Sequence, residues 1–302
     1  MKSKTLKNQT SIDRLIVFIN AGGPEEHQYD ELTSIWDSIN DPQENSLQNA
    51  LNRNRLASLF DSEFLSKTIQ GFGFRKPHGY AGDFEIIDYI YQRKENTDKR
   101  FQKWDKYLHS QQACKAVINR KSYFIDLVKS KVAQADRPLR ILNIASGPCR
   151  DVLEMFEQVS PAAIKMHCVE MDPNAIVYAR GLLGNFSDSV DFTRESIFEY
   201  DTDNRFDLVW SAGLFDYFAD EDFIGLLAKI FSFCATSGEM VIGNFSVSNP
   251  SRSYMELGTN WHLFYRTAEE LKELAFKAGL KKENLEVKSE ALGVNLFLHA
   301  KA

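Results

Sequence analysis

Arg140-Ile141-Leu142-Asn143-Ile144-Ala145-Ser146-Gly147-Pro148-Cys149-Arg150-Asp151 is the stretch whose reading decides the fold. An apolar strand runs into a turn of small residues, and a helix opens with Arg150-Asp151-Val152-Leu153-Glu154-Met155-Phe156. Small residues let the backbone approach a ligand closely, and a helix N-terminus offers it free N–H groups. Further on, a second strand, Lys165-Met166-His167-Cys168-Val169-Glu170, ends in an acid. Strand, tight turn, helix, strand and acid describe the nucleotide-binding half of a doubly wound sheet. The terminal acid is placed to accept hydrogen bonds from ribose hydroxyls.

Outward from this stretch, strand and helix alternate from residue 139. Strands are expected near 140–144, 165–169, 190–193, 206–210 and 238–243, and helices near 150–158, 173–183, 221–235 and 267–279. Such alternation predicts a parallel sheet with helices on both faces. The last two strands, near 284–291 and 294–300, leave no room for a helix between them. They should form a hairpin, so that one strand runs antiparallel.

Upstream the pattern is helical. A short amphipathic stretch covers residues 12–19, and residues 29–39 put Leu32, Ile35, Trp36 and Ile39 on one face, stopped by Asp41-Pro42. Residues 46–70 again read helical, with Leu47, Leu51, Leu56, Leu59, Phe60 and Phe64 as the buried side. Gly71-Phe72-Gly73-Phe74-Arg75-Lys76-Pro77-His78-Gly79-Tyr80-Ala81-Gly82-Asp83 then reads as a loop throughout, on the strength of its glycines and proline. Helical periodicity resumes at Phe84, continues past Tyr91, and returns over 98–108 and 110–133. Arg137-Pro138 closes this part. Two domains are expected: a helical cap over 1–137 and a core over 138–302.

The 302 residues carry a net charge of -6 and no Lys/Arg-rich block, which disfavours a nucleic-acid substrate. Cys114, Cys149, Cys168 and Cys234 are scattered without a CxxC pair, as expected of reduced thiols in a cytoplasmic protein. The N-terminus begins polar, without a signal peptide's apolar core, and no apolar run approaches the roughly 18 residues a membrane span needs. No metal is expected.

The run from Arg140 to Ala302 resembles a class I S-adenosylmethionine (SAM) dependent methyltransferase. That family's first motif is an acid, any residue, then glycines alternating with other residues. Here Gly147 alone is kept; Asn143 stands at the acid position, and Ala145 and Cys149 at the outer glycine positions. Val169-Glu170-Met171-Asp172-Pro173-Asn174-Ala175 resembles the second motif and Phe206-Asp207-Leu208-Val209-Trp210-Ser211 the fourth-strand motif. The segment from Leu285 to Ala302 fits the family's C-terminal hairpin. The resemblance implies an α/β, Rossmann-like seven-stranded sheet, mostly parallel, with SAM as cofactor. Lys76-Pro77-His78-Gly79-Tyr80-Ala81-Gly82-Asp83 also resembles a segment that precedes the core in a bacterial subset linked to 3-hydroxy fatty acid methyl ester biosynthesis.

On this reading Asn143, Ala145, Ser146 and Gly147 line the floor under the methionine part of SAM. Glu170, followed by Met171, holds the ribose, and Asp172 caps the helix that starts at Pro173. Glu195, Ser196 and Ile197 either flank the adenine, as the resemblance implies, or form a plain polar loop. Ser211, Ala212 and Gly213 lie beneath the cofactor. Arg120 either pairs with the cofactor carboxylate or makes a surface ion pair. Arg75, Tyr80, Asp83, Tyr217, Arg252, Tyr254 and Arg266 are the candidate substrate contacts, with Arg252 and Arg266 as carboxylate clamps.

The implied reaction is in-line methyl transfer to a small molecule, in particular the carboxylate of a fatty acyl compound. A carboxylate acceptor is already ionised near neutral pH and needs no base. A hydroxyl or amine acceptor would need one, and Tyr80, Asp216 and His262 are the candidates. Two other classes stay open: a nicotinamide-dependent dehydrogenase on the same fold, and a SAM-binding module without catalysis.

Overall fold

The strands β1 (Leu139–Ile144), β2 (Ile164–Glu170), β3 (Val190–Arg194), β4 (Phe206–Ser211), β5 (Cys234–Phe245), β6 (Leu285–Ser289) and β7 (Asn295–Lys301) form one sheet. Their order is β3-β2-β1-β4-β5-β7-β6. Strands β1 to β5 pair in parallel, and β7 runs antiparallel to both β5 and β6. The computed structural model describes residues 2–40 and 54–302. They fall into two compact units: Ala116–Asn249 with Leu263–Ala302, which holds the sheet, and the described residues up to Lys115 with Pro250–His262.

In the sheet unit the central strands β1 and β4 are mostly apolar and almost wholly buried, because both faces are covered. Leu142 and Ile144 face one cluster, with Phe223, Leu226, Leu227 and Ile230 of helix Asp220–Phe231 and Leu271 and Leu274 of helix Ala268–Lys277. Ile141, Leu208, Trp210 and Phe297 face the other, with Val152 and Met155 of helix Arg150–Phe156 and Ala179 and Leu183 of helix Pro173–Leu183. The same cluster takes Phe124, Ile125 and Val128 from helix Gln112–Val132. The strand order reverses at β1, whose neighbours are β2 and β4. That reversal is the switch point where ligands of such sheets bind, outside the carboxyl ends of the strands.

The helix expected over 221–235 ends earlier, at Phe231, and β5 starts at Cys234, well before 238. Apolar Phe233 and Cys234 prolong the helical pattern in sequence, but Cys234 pairs with Phe206, and a register shift follows between Phe206 and Leu208.

The other unit is helical. Helix Lys2–Asn20 buries Ile12, Leu15 and Phe18, and helix Tyr29–Ile39 buries the four apolar residues its spacing singled out. Leu47, Leu51 and Asp41-Pro42 lie outside the described residues. Of the stretch expected to be helical up to residue 70, the described part is divided into separate short helices. Asp61 accepts the Phe64 N–H and starts helix Ser62–Lys67, and Thr68 accepts the Gly71 N–H and starts helix Ile69–Arg75. The first part of the expected loop is therefore helical. A Cβ at Gly71 would come within 2.3 Å of the Leu65 carbonyl oxygen, and one at Gly73 within 2.9 Å of Ile86 Cδ1. These glycines serve close packing rather than a turn. Only residues 76–83 connect helices, with Lys76, Gly79 and Gly82 at positive φ.

Candidate functional site

The turn after β1 alternates left-handed residues: Ala145 at φ 51°, Gly147 at 56° and Cys149 at 55°. The Ala145 N–H donates to the Val169 carbonyl at 2.9 Å, which ties the turn to β2. Glu170 accepts the Gly147 N–H on one oxygen at 3.0 Å and the Asp172 N–H on the other at 2.9 Å. The strand-end acid thus pins two turns at once, and each oxygen keeps a further lone pair for a ligand. Burial pushes its pKa up, against the pull of the two N–H groups. Asp172 caps the next helix by accepting the Asn174 N–H at 2.8 Å, with Pro173 opening that helix. A Cβ added at Gly147 would meet nothing within 4 Å, so the space over the turn is open. Asn143 Nδ2 and Ser146 Oγ beside it are buried without a hydrogen-bond partner. Buried polar atoms of this kind call for a partner.

The neighbouring corner is tied back to the same strand, since the Glu195 N–H donates to the Glu170 carbonyl at 3.2 Å. Ser196 Oγ accepts the Phe198 N–H at 3.3 Å, and Ile197 is buried. Met171 and Phe198 are exposed. On β4, Ser211 is buried and donates its hydroxyl to the Ile144 carbonyl at 3.2 Å, which fastens β4 to β1. Ala212 follows, half-buried.

Beyond it lies a charged cluster. A Cβ at Gly213 would stand 2.8 Å from Arg120 Nη1 and 3.5 Å from Asp216 Oδ2, so the two side chains converge on a backbone that has none. Asp216 is buried and accepts the Phe245 N–H at 2.6 Å. Burial pushes its carboxyl up to about 7, while the Phe245 N–H and the charges of Arg120 and Arg266 pull it down. Asp151 is a second buried acid, raised to about 6 by burial, with Arg120 and Lys121 among the groups that oppose the rise. Sequence reasoning missed Asp151, because an acid in a helix's first turn reads as an ordinary terminal charge. Arg120 itself is buried rather than on the surface.

Arg266 corrects one expectation. It is buried, with Nη1 donating to the Phe215 carbonyl and Asn244 Oδ1, and Nη2 to the Phe218 carbonyl and Asp220 Oδ1. Its guanidinium also lies 4.4 Å from the centre of the Phe223 ring. The fork that a substrate carboxylate would need is engaged in holding the segment after β4. Tyr217 is half-buried in that segment.

The remaining candidates belong to the helical unit. Tyr254 is buried against Trp36 and Tyr107 and donates its hydroxyl to Gln70 at 3.0 Å, which makes it a core residue. Asp83 is buried as the cap of helix Phe84–Tyr91, where it accepts the Glu85 and Ile86 N–H groups. Burial raises its pKa against those two bonds. Both are committed to local structure. Arg252 pairs with Glu256 at 2.7 Å, and Arg75 Nε donates to the Leu65 carbonyl at 2.8 Å. Tyr80 and His262 are exposed, and His262 Nε2 meets Asn260 Oδ1 at 3.1 Å. Among the described residues no group of three or more His, Cys, Asp or Glu side chains could hold a metal ion. No helix among them is long and apolar enough to cross a membrane.

A family model described as "Methyltransferase domain" matches residues 135–291, just over half of the chain. A search of curated proteins finds no match. Among solved structures, the chain is similar to a possible exported protein from Bordetella parapertussis, at 13% identity and a TM-score of 0.64, over 99% of this chain and 96% of that one. It is also similar to the S-adenosylmethionine-dependent methyltransferase SibL in its apo form, at 12% identity and a TM-score of 0.52, over 84% of this chain and 73% of that one. At such identities the likeness is one of fold.

Proposed function

The chain belongs to the methyltransferase-domain family, and from that premise we propose that it is a SAM-dependent methyltransferase acting on a small molecule. The observation that carries the reading is the turn after β1, where open space over Gly147 adjoins the buried, unpartnered Asn143 amide and Ser146 hydroxyl. These residues and Glu170 fit the cofactor: bare backbone for the methionine part, polar atoms awaiting partners, and carboxylate lone pairs for ribose hydroxyls. The antiparallel β7 favours this reading over a dehydrogenase, in line with the hairpin of the family the sequence resembles.

When bound, SAM supplies a methyl group on an activated sulfonium. The protein's part is then alignment and exclusion of water. Gly147 lets the backbone close on the ligand, Glu170 orients the ribose, and Arg120 is a cation suited to the ligand's carboxylate. Asp216, with a pKa raised to about 7, is suited to take a proton from an acceptor hydroxyl or amine. A carboxylate acceptor would leave that proton-accepting role unused. The acceptor we favour is a carboxylate on a fatty acyl compound, supported by the resemblance of Lys76–Asp83. A cytoplasmic location fits the four free, buried cysteines.

Calorimetry with SAM and its demethylated product tests the cofactor, and methyl transfer to a panel of carboxylic and hydroxy acids tests the acceptor. Saturable binding of both ligands is expected. A protein that binds neither, or binds NAD(P) instead, overturns the reading.

A further inference from the structure

Two buried acids stand on either side of the switch point, Asp151 shortly after Gly147 and Asp216 after β4. Buried Arg120 reaches toward them from helix Gln112–Val132, and all three belong to the sheet unit. Arg120 Nη1 and Asp216 Oδ2 converge on Gly213, at 2.8 and 3.5 Å from where a Cβ would be. The neighbouring cations are engaged. Lys121, which faces Asp151, is paired with Glu154, and Arg266, which faces Asp216, is paired with Asp220. Cys149, fully buried beside Asp151, stays an uncharged thiol because burial and the Cys168 thiol push it well up. Among the described residues the two acids therefore share Arg120, and the cluster is negative when both are ionised. Glu170, at the end of β2, adds a third buried carboxyl beside the same turn.

Excess negative charge held out of water costs free energy that a cationic ligand would recover. The ligand's place is marked independently on the segment that leads to Asp151. The Asn143 amide nitrogen and Ser146 hydroxyl there are buried without partners, and the space over Gly147 is open. Asn143 in turn lies opposite Trp210 of β4, the strand that leads to Asp216. We infer that Asp151 and Asp216 together make the site sensitive to the charge of its ligand, favouring the sulfonium cofactor over the demethylated product, whose sulfur is neutral. This inference rests on the SAM reading of the site. Burial raises Asp151 to about 6 and Asp216 to about 7, so the preference should grow as pH rises through that window. Once the positive charge is gone, the acids regain affinity for a proton. Asp216 then becomes a stronger base just as an acceptor hydroxyl or amine has to lose one.

The experiment uses the full chain as wild type, Asp151→Asn and Asp216→Asn, with SAM and its demethylated product as separate probes in calorimetry at a series of pH values. In wild type the ratio of the two affinities should shift toward SAM between about pH 5.5 and 8, as the acids ionise. Each variant should lower that ratio at pH 8 by roughly tenfold, the scale of one unit charge acting over several ångströms at an effective dielectric near 20. The loss should fall on SAM and leave the product's affinity nearly unchanged. A ratio that is the same as wild type in either variant overturns the inference. So do SAM and product affinities that fall together, the sign of a merely structural role. If neither ligand binds wild type, the cofactor reading fails and takes the inference with it; binding of both without an acid-dependent preference refutes the inference alone. Should a variant fail to fold, wild type decides the matter by calorimetry in phosphate and Tris buffers at about pH 6.5, where the buffer dependence of the heat counts protons. More protons released on binding SAM than on binding the product support the inference, and equal numbers refute it.

Discussion

Replacing Asp216 with Asn should stabilise the protein at pH 8 and change little at very acid pH. The carboxyl is buried, and its Oδ1 accepts the Phe245 N–H at 2.6 Å, a bond that an amide oxygen can keep. The substitution therefore removes mainly the charge. Burial moves the carboxyl from 3.8 up to about 7. The difference of about 3 pH units corresponds to about 4 kcal/mol as an upper figure, at about 1.4 kcal/mol per unit. Between about pH 4 and 7 the folded chain holds a proton that the unfolded chain has released. Stability from this group is therefore full below the lower value, falls as pH rises through the window, and levels off above it. The Asn variant lacks this loss, so its advantage should grow across the window and reach a plateau. Urea denaturation of both proteins at a series of pH values measures it. A pH-independent difference, or an Asn variant less stable at pH 8, would show that Arg120 and Arg266 offset the burial and would refute the reasoning.

Glu170→Ala should weaken SAM binding by about 1.5–3 kcal/mol, the range for hydrogen bonds to a charged group; an unchanged calorimetric affinity would remove Glu170 from the ribose. Gly71→Ala should destabilise by about 1–3 kcal/mol, because its Cβ would meet the Leu65 backbone at 2.3–2.6 Å. Gly181→Ala, where a Cβ meets nothing within 4 Å inside a helix, should instead stabilise by up to about 1 kcal/mol, and thermal melting of the two variants checks the opposite signs. Phe124→Ala should cost about 3–5 kcal/mol in denaturant unfolding, since that side chain is fully buried under the sheet. A chain starting at residue 138 would lack Phe124, Ile125 and Val128 together and should fail to show a cooperative transition by circular dichroism.

The sheet was legible because its strands are mostly apolar and two of its helices, Pro173–Leu183 and Ala268–Lys277, open on side-chain caps. Asp172 before Pro173 announced both a cap and a helix start, and the N–H of Asn174 sits on that carboxylate. The helical unit was less legible where one residue type serves two purposes. Gly71 and Gly73 read as turn residues, yet they are small because another helix or side chain touches their backbone, a tertiary fact with no local sign. Arg252 and Arg266 are alike in sequence. One makes an i,i+4 ion pair, and the other is buried among carbonyls, which only long-range packing decides. Likewise, the pull of Arg120 on Asp216 and Asp151 joins residues far apart in the chain.

Ala145 and Cys149 hold left-handed conformations that glycine would adopt at no steric cost. Each incurs about 1–2 kcal/mol of strain when the chain folds. In exchange, the turn has fewer alternative conformations than a glycine-rich one, and the fully buried Cys149 side chain anchors it from below. The ordering cost is thereby moved from the moment of binding to the moment of folding. A ligand reaching Gly147 meets a turn that is already rigid, so its association should carry a smaller conformational entropy penalty than binding to a loop of alternating glycines.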